Sequence, residues 1–156
     1  ILETRRKTLM NKKIIEELEK IDGLYYEVES DVPMTGTVHD YWDNGELRGV
    51  YEIKDGKFHG DHKIYWDNGQ LSNYLKFQDG VPYGRHLGYW KDGKQWFSNF
   101  FSAGKRQGLS EEFRVDGTLK RRQYFKNDEL HGLQEVFKKD GTLKKSILYV
   151  DGEVSN

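Results

Sequence analysis

Residues 37–60 read TVHDYWDNGELRGVYEIKDGKFHG, and the same pattern returns at 61–84, 85–108, 109–132 and 133–156. Glycine marks the period: Gly36, Gly60, Gly84, Gly108 and Gly132 stand 24 residues apart, as do Gly45, Gly69, Gly93, Gly117 and Gly141. A third series, Gly56, Gly80, Gly104 and Gly152, has Asp128 in the missing place. Series locked to one period identify a tandem array. Each unit holds an Asn-Gly or Asp-Gly step in the Asn44-Gly45 phase, and a second turn in the Asp55-Gly56 phase, which is Ala103-Gly104 in the third unit and Asn127-Asp128 in the fourth. Flanked by aromatic and β-branched residues, these steps are hairpin turns, since glycine accepts positive φ without a Cβ clash. Two turns leave two strands per unit and no room for a crossover helix. The expected fold is therefore mainly β: one elongated antiparallel meander of 24-residue hairpin repeats.

Three phases stay apolar, led by Tyr41, Leu47 and Ile53. A three-residue turn with a glycine bulge pairs Trp42 with Glu46 and Tyr41 with Leu47, and is expected to gather all three phases on one face. It puts Trp42, Trp66 and Trp90 on the other, where the last two units have Arg114 and Lys138. The Gly60 series falls inside the longer strand and is read as leaving room for a neighbouring ring. About eleven strands spaced ~4.8 Å make a sheet on the order of 50 Å across.

Ahead of the array, residues 8–21 carry Leu9, Met10, Ile14, Leu18 and Ile21 at helical spacing. Residues 1–23 are thus expected to form an amphipathic helix ended by Gly23 as a left-handed cap, closing the first sheet edge or lying across one face. Residues 24–36 resemble the second half of a repeat, and 37–156 are the five full units. The hydrophobic fraction is 35% and the aromatic fraction 14%, which suits a thin sheet held by stacked rings. A net charge of −1 argues against general nucleic-acid binding. No run of about 18 apolar residues exists to span a membrane. There is no cysteine, hence no disulfide, thiolate or zinc–sulfur chemistry. The chain starts at Ile1, so an upstream piece is expected and the compartment, exported or cytoplasmic, stays open.

Subtracting residues that the repeat explains leaves little chemistry. The aspartates of the turns stabilise turn geometry. His62 and His86 would lie two strands, roughly 10 Å, apart, too far to share a metal without a third ligand. No phosphate loop, nucleophile elbow or zinc-protease motif occurs. The expectation is no enzyme, no cofactor and no metal.

What remains clusters in the third unit. Trp96 stands where other units have Arg48, Ser72, Lys120 and Lys144, Phe97 where they have Gly49, Asn73, Arg121 and Lys145, and Phe100 where two have Glu52 and Lys76. The expected register sets Trp96 across from Gly88 and Gly49 across from His39. The unit carries Arg85, Lys91, Lys94, Lys105 and Arg106 against Asp92, a surplus of +4. Trp42, Trp66, Trp90, Trp96, Phe97 and Phe100, with Arg85 and Lys94, form the candidate partner-binding surface. The competing reading is cladding beneath the N-terminal helix, and the residues leave both open.

The unit Tyr-Trp-x-Asn-Gly-x-Leu…Asp-Gly-x-x-x-Gly, covering 24–156, resembles the MORN-repeat variant family. The segment LYYEVESDVPMTGTVHDYWDNGEL (24–47) is similar to the opening of bacterial members described as antitoxin components of toxin–antitoxin modules. The resemblance implies a bacterial, non-enzymatic interaction module with a toxin or effector as first partner. Because MORN arrays also act as scaffolds, it further implies self-association through sheet edges as an alternative. Anionic lipid headgroups are a third reading, disfavoured by balanced charge and the lack of a polybasic run.

Overall fold

The computed structural model describes residues 13–155. It opens with β1 (Lys13–Ile14), a single 3-10 turn at Ile15–Glu17, β2 (Leu18–Ile21) and β3 (Leu24–Glu27). The array follows as β4 (Gly36–Tyr41), β5 (Leu47–Lys54), β6 (Lys57–Tyr65), β7 (Leu71–Gln78), β8 (Val81–Tyr89) and β9 (Gln95–Ser102). Then come β10 (Lys105–Arg106), β11 (Gly108–Phe113), β12 (Leu119–Lys126) and β13 (Glu129–Leu130). The chain ends with β14 (Gly132–Phe137), β15 (Leu143–Val150) and β16 (Glu153–Val154). From β4 to β16 neighbouring strands pair antiparallel, with β10 and β13 as short leading pieces of β11 and β14 that pair with β9 and β12, so the expected meander is the observed topology.

Both turn types of the repeat are set by local chemistry. The first is the three-residue turn: the Trp42 N–H donates to the Glu46 carbonyl at 2.8 Å and the Gly45 N–H to the Trp42 carbonyl at 2.7 Å. The Asn or Asp at the middle of this turn accepts the N–H two residues on, as Asn44 does from Glu46 and Asp116 from Thr118. The second is a two-residue turn with both residues left-handed, Asp55 and Gly56 at φ 49° and 76°.

Tyr41 pairs with Leu47 as expected, but Asp40 pairs with Gly49, leaving Arg48 as an extra bulged residue. Ser72, Trp96, Lys120 and Lys144 are bulged in the same way. A bulge puts two consecutive residues on one face and inverts the alternation beyond it. The three apolar phases therefore do not share a face. Tyr41 and Leu47 point one way, towards what is here termed the tyrosine face. Ile53, Phe77, Phe101, Phe125 and Tyr149 join the tryptophans on the other, the tryptophan face. This concentrates the rings: Phe58 lies 5.1 Å from Tyr25 and 5.6 Å from Phe77, and His62 4.4 Å from Phe77. Met34, Val38 and Ile53 are buried beside them, Val38 at 0% exposure.

The Gly60 series does not serve to make room for a ring. Gly60, Gly84 and Gly108 have φ of 71°, 72° and 66°, and a Cβ at Gly84 or Gly108 would meet open space. In β6 the pairs Tyr51–His62 and Ile53–Phe58 set three residues against one, so the strand kinks at a left-handed residue. At Gly108 and Gly132 the kink separates β10 from β11 and β13 from β14.

The expected helix is also corrected. Residues 13–21 are strand, one 3-10 turn and strand, and 8–12 lie outside the described residues. Asp22-Gly23 is a two-residue left-handed turn joining β2 to β3 in register Ile21–Leu24, not a helix cap. A short isolated helix is marginal in water, whereas this hairpin docks: Tyr25 N–H donates to the Gly56 carbonyl at 2.8 Å and Gly56 N–H to the Met34 carbonyl at 2.8 Å. The segment does cover the first edge, since β1 pairs in parallel with β4 through Lys13–Val38 and Ile14–His39.

Candidate functional site

The tryptophan phase fastens one repeat to the next. Trp42 Nε1–H donates to the Tyr65 carbonyl at 3.3 Å and Trp66 Nε1–H to the Tyr89 carbonyl at 2.9 Å, each 23 residues ahead. Arg114 keeps the function with different chemistry, its Nη2 donating to the Phe137 carbonyl. Trp90 is the exception. Its Nε1 is buried with no hydrogen-bond partner, and its ring lies 4.8 Å from Trp96 at 30°.

The bulge, common to all units, turns Trp96 and Phe97 to the same face, and the third unit differs in having rings at both positions beside Trp90. Phe97, not Trp96, stands opposite Gly88, where its ring covers the bare backbone. It meets His86 edge-on at 4.8 Å and Trp96 at 5.3 Å and 70°. Gly49 is likewise opposite Asp40 rather than His39, and the Tyr51 ring covers it. Asp40, buried, accepts two bonds from Arg48 at 2.7 and 2.8 Å and one from the Tyr51 hydroxyl at 3.3 Å. Burial, with Asp40 alongside, pushes Tyr51 up to about 12.

Of the residues expected to form the binding surface, Trp42, Trp66, Trp90, Trp96 and Phe97 share the tryptophan face. Phe100 and Arg85 are cross-strand partners on the tyrosine face, separated from the others by the sheet. Lys94 sits at the turn, its Nζ 3.3 Å from the Val115 carbonyl and 3.2 Å from Asp92. Phe100 instead begins a row that the sequence reading missed. Phe100, Leu109, Tyr124, Leu133 and Leu148 are 40–45% exposed in successive strands. The signal was a switch in two phases: Glu52 and Lys76 give way to Phe100, Tyr124 and Leu148, and Thr37, Asp61 and Arg85 to Leu109 and Leu133.

Beside Trp96 and Phe97 lies a groove of about 280 Å³, continued by Asn99, Ser110, Arg121 and Gln123. Paired residues carry its axis across the sheet: Phe97–Glu112, Glu112–Arg121, Arg121–Val136 and Val136–Lys145. Glu112 accepts from Lys120 at 2.7 Å and from Arg121. Its partial burial raises the carboxyl pKa, but the two cations more than offset this and hold it below its usual value. In the parallel row the Ser110 hydroxyl donates to Asn99 Oδ1 at 2.6 Å, Ser110 pairs with Gln123, and Gln134 with Ile147. Among the described residues no His, Asp and Glu cluster could hold a metal ion. Comparison with protein-family models and with curated proteins gives no match to this chain.

Proposed function

We propose that the chain is a non-enzymatic interaction module that holds a protein partner on its tryptophan face at the third and fourth repeats. The observation carrying this reading is the Trp90–Trp96–Phe97 cluster. Trp90 gives up the inter-repeat hydrogen bond its counterparts make, and the aromatic edge so formed borders a groove. Trp, Tyr and Arg are the residues that dominate interface energetics. The resemblance to MORN-repeat variants supports an antitoxin-like role with a bacterial toxin or effector as partner. Self-association is the weaker reading, because Lys144 and Lys145 stand on the last full strand and like charges oppose edge pairing.

The test is Trp96→Lys, which restores the residue type of Lys120 and Lys144. It is expected to fold with a modest drop in melting temperature from the lost Trp90 and Phe97 contacts, while weakening a partner captured by the wild-type chain by at least about 2 kcal/mol, read by titration calorimetry. Phe97→Asn is not equivalent: its ring packs on Gly88 and His86, so stability falls further. Retention of the partner by Trp96→Lys, with loss on Leu133→Lys, would move the site to the tyrosine face.

A further inference from the structure

Charge on the tryptophan face is sorted along the array. In the fourth and fifth repeats it presents Arg114, Lys120, Arg121, Lys138, Lys144 and Lys145. Glu112 is the carboxylate among them, already shared by Lys120 and Arg121. Of the neighbouring acids, Glu111 and Glu135 alternate onto the tyrosine face by register, though Glu111 also lines the groove beside Trp96 together with Arg106, and Asp116 and Asp140 are occupied in turns. Lys138, Lys144 and Lys145 have no acidic partner among the described residues, and both lysines of β15 are exposed. The two repeats are neutral in sum yet cationic on this face.

Alongside the cations runs a row of side-chain amides and a hydroxyl: Asn99, Ser110, Gln123 and Gln134. A carboxamide both donates and accepts, matching the two hydrogen-bonding groups of a peptide unit. At one end Trp96 and Phe97 offer an apolar seat. Four strand spacings separate Phe97 from Lys145, about 19 Å, which an extended chain crosses in about six residues. Beyond Phe97 neither row contains a ring, so successive bases would find nothing to stack on.

We infer that the ligand of this face is an extended acidic segment of polypeptide, with an apolar side chain on Trp96 and Phe97 and carboxylates at Arg121, Lys144 and Lys145. The inference rests on the reading of this face as a protein-binding surface and adds the chemistry of what binds. The peptide lies on the face of the sheet, across the strands, with its backbone on the amide row.

The probe is a random peptide library displayed on phage, panned against the full chain, with selected sequences remade as synthetic peptides. Acidic residues are expected to outnumber basic ones in the selected sequences, accompanied by an aromatic residue or leucine. Their affinity should fall about tenfold or more between low and high salt, as screening of charge pairs requires. Lys144→Glu with Lys145→Glu should cost about tenfold at an unchanged melting temperature, while Lys144→Arg with Lys145→Arg retains binding. Neutral or basic selected sequences, or indifference to the charge reversal, overturn the acidic ligand. If such sequences still depend on Trp96, the module reading survives alone. Peptides that bind without Trp96, or no selected peptide, overturn both. Tighter binding of a homopolymeric oligonucleotide or of phosphatidylserine vesicles than of any selected peptide overturns the ligand class.

Discussion

A methyl group at Gly88 would run into the Phe97 ring, whereas one at Gly84 would meet open space but sit on a backbone at φ 72°. The two glycines are therefore required for different reasons. Gly88→Ala should cost about 2 kcal/mol through displaced packing and loosen the Trp90–Trp96 contact. Gly84→Ala should cost about 1 kcal/mol through backbone strain and leave that contact intact. Urea unfolding with tryptophan fluorescence separates them, since only the first should change the folded-state emission. His62 gives a second residue-scale test. It is 7% exposed, with Phe58 at 4.3 Å, Phe77 at 4.4 Å and Tyr51 at 5.0 Å, and its Nε2 is unpartnered. Burial lowers its pKa to about 4, while the unfolded ring titrates near 6.5. Between those values the unfolded chain binds the proton and the folded chain does not. Stability is thus fully present above about pH 6.5 and falls as pH drops towards 4. His62→Phe should flatten that slope in urea midpoints, with a remainder from His86, which burial shifts in the same direction. Equal slopes in both proteins would mean that His62 is protonated in the fold.

At the scale of the element, the inter-repeat bond from the tryptophan phase can be weighed within one chain. Trp66→Phe removes the N–H that reaches the Tyr89 carbonyl at 2.9 Å and should cost about 1 kcal/mol. Trp90→Phe removes an N–H that bonds to nothing and should cost under about 0.5 kcal/mol for the same deletion. Equal losses, measured by thermal unfolding, would assign the cost to ring size instead. The elements themselves were largely legible, because Asn44-Gly45 and Asp55-Gly56 impose turn geometry locally. The bulge was not. Arg48, Ser72, Trp96, Lys120 and Lys144 share no chemistry, and a bulge is set by how the strands twist together. Missing it exchanged the faces of the Ile53 phase, separated Phe100 from Trp96 in space, and put Phe97 over Gly88. At the N-terminus two local signals competed. Ile14, Leu18 and Ile21 fit a helical stripe, while Asp22-Gly23 is the same turn signal that closes the repeats. The hairpin prevailed because its backbone bonds to Gly56 and Met34 exist only in the assembled sheet.

For the whole molecule the question is what stops a many-stranded sheet from growing. The first edge is covered, since β1 lies along β4 and the β2–β3 hairpin docks beside it. The last edge is different: β16 pairs with Tyr149 and Val150, and Ser155 N–H reaches the Leu148 carbonyl. On the side away from β14, no described strand borders β15 from Leu143 to Ile147. An open edge with Leu143 half exposed and Ile147 beside it is a template for another chain. Lys144 and Lys145 occupy its centre. In an antiparallel pairing of two copies about a twofold axis, these lysines face each other, and like charges directly opposite disfavour a strand pair by roughly 0.2–1 kcal/mol each. They would then act twice, as cations for an acidic ligand and as guards of the edge. Lys144→Thr with Lys145→Val should therefore give more concentration-dependent dimer than the wild-type chain in sedimentation velocity. High salt should shift the wild-type chain weakly the same way by screening the lysines. A variant that stays monomeric at every concentration tested would show that strand twist, rather than charge, keeps the edge unpaired.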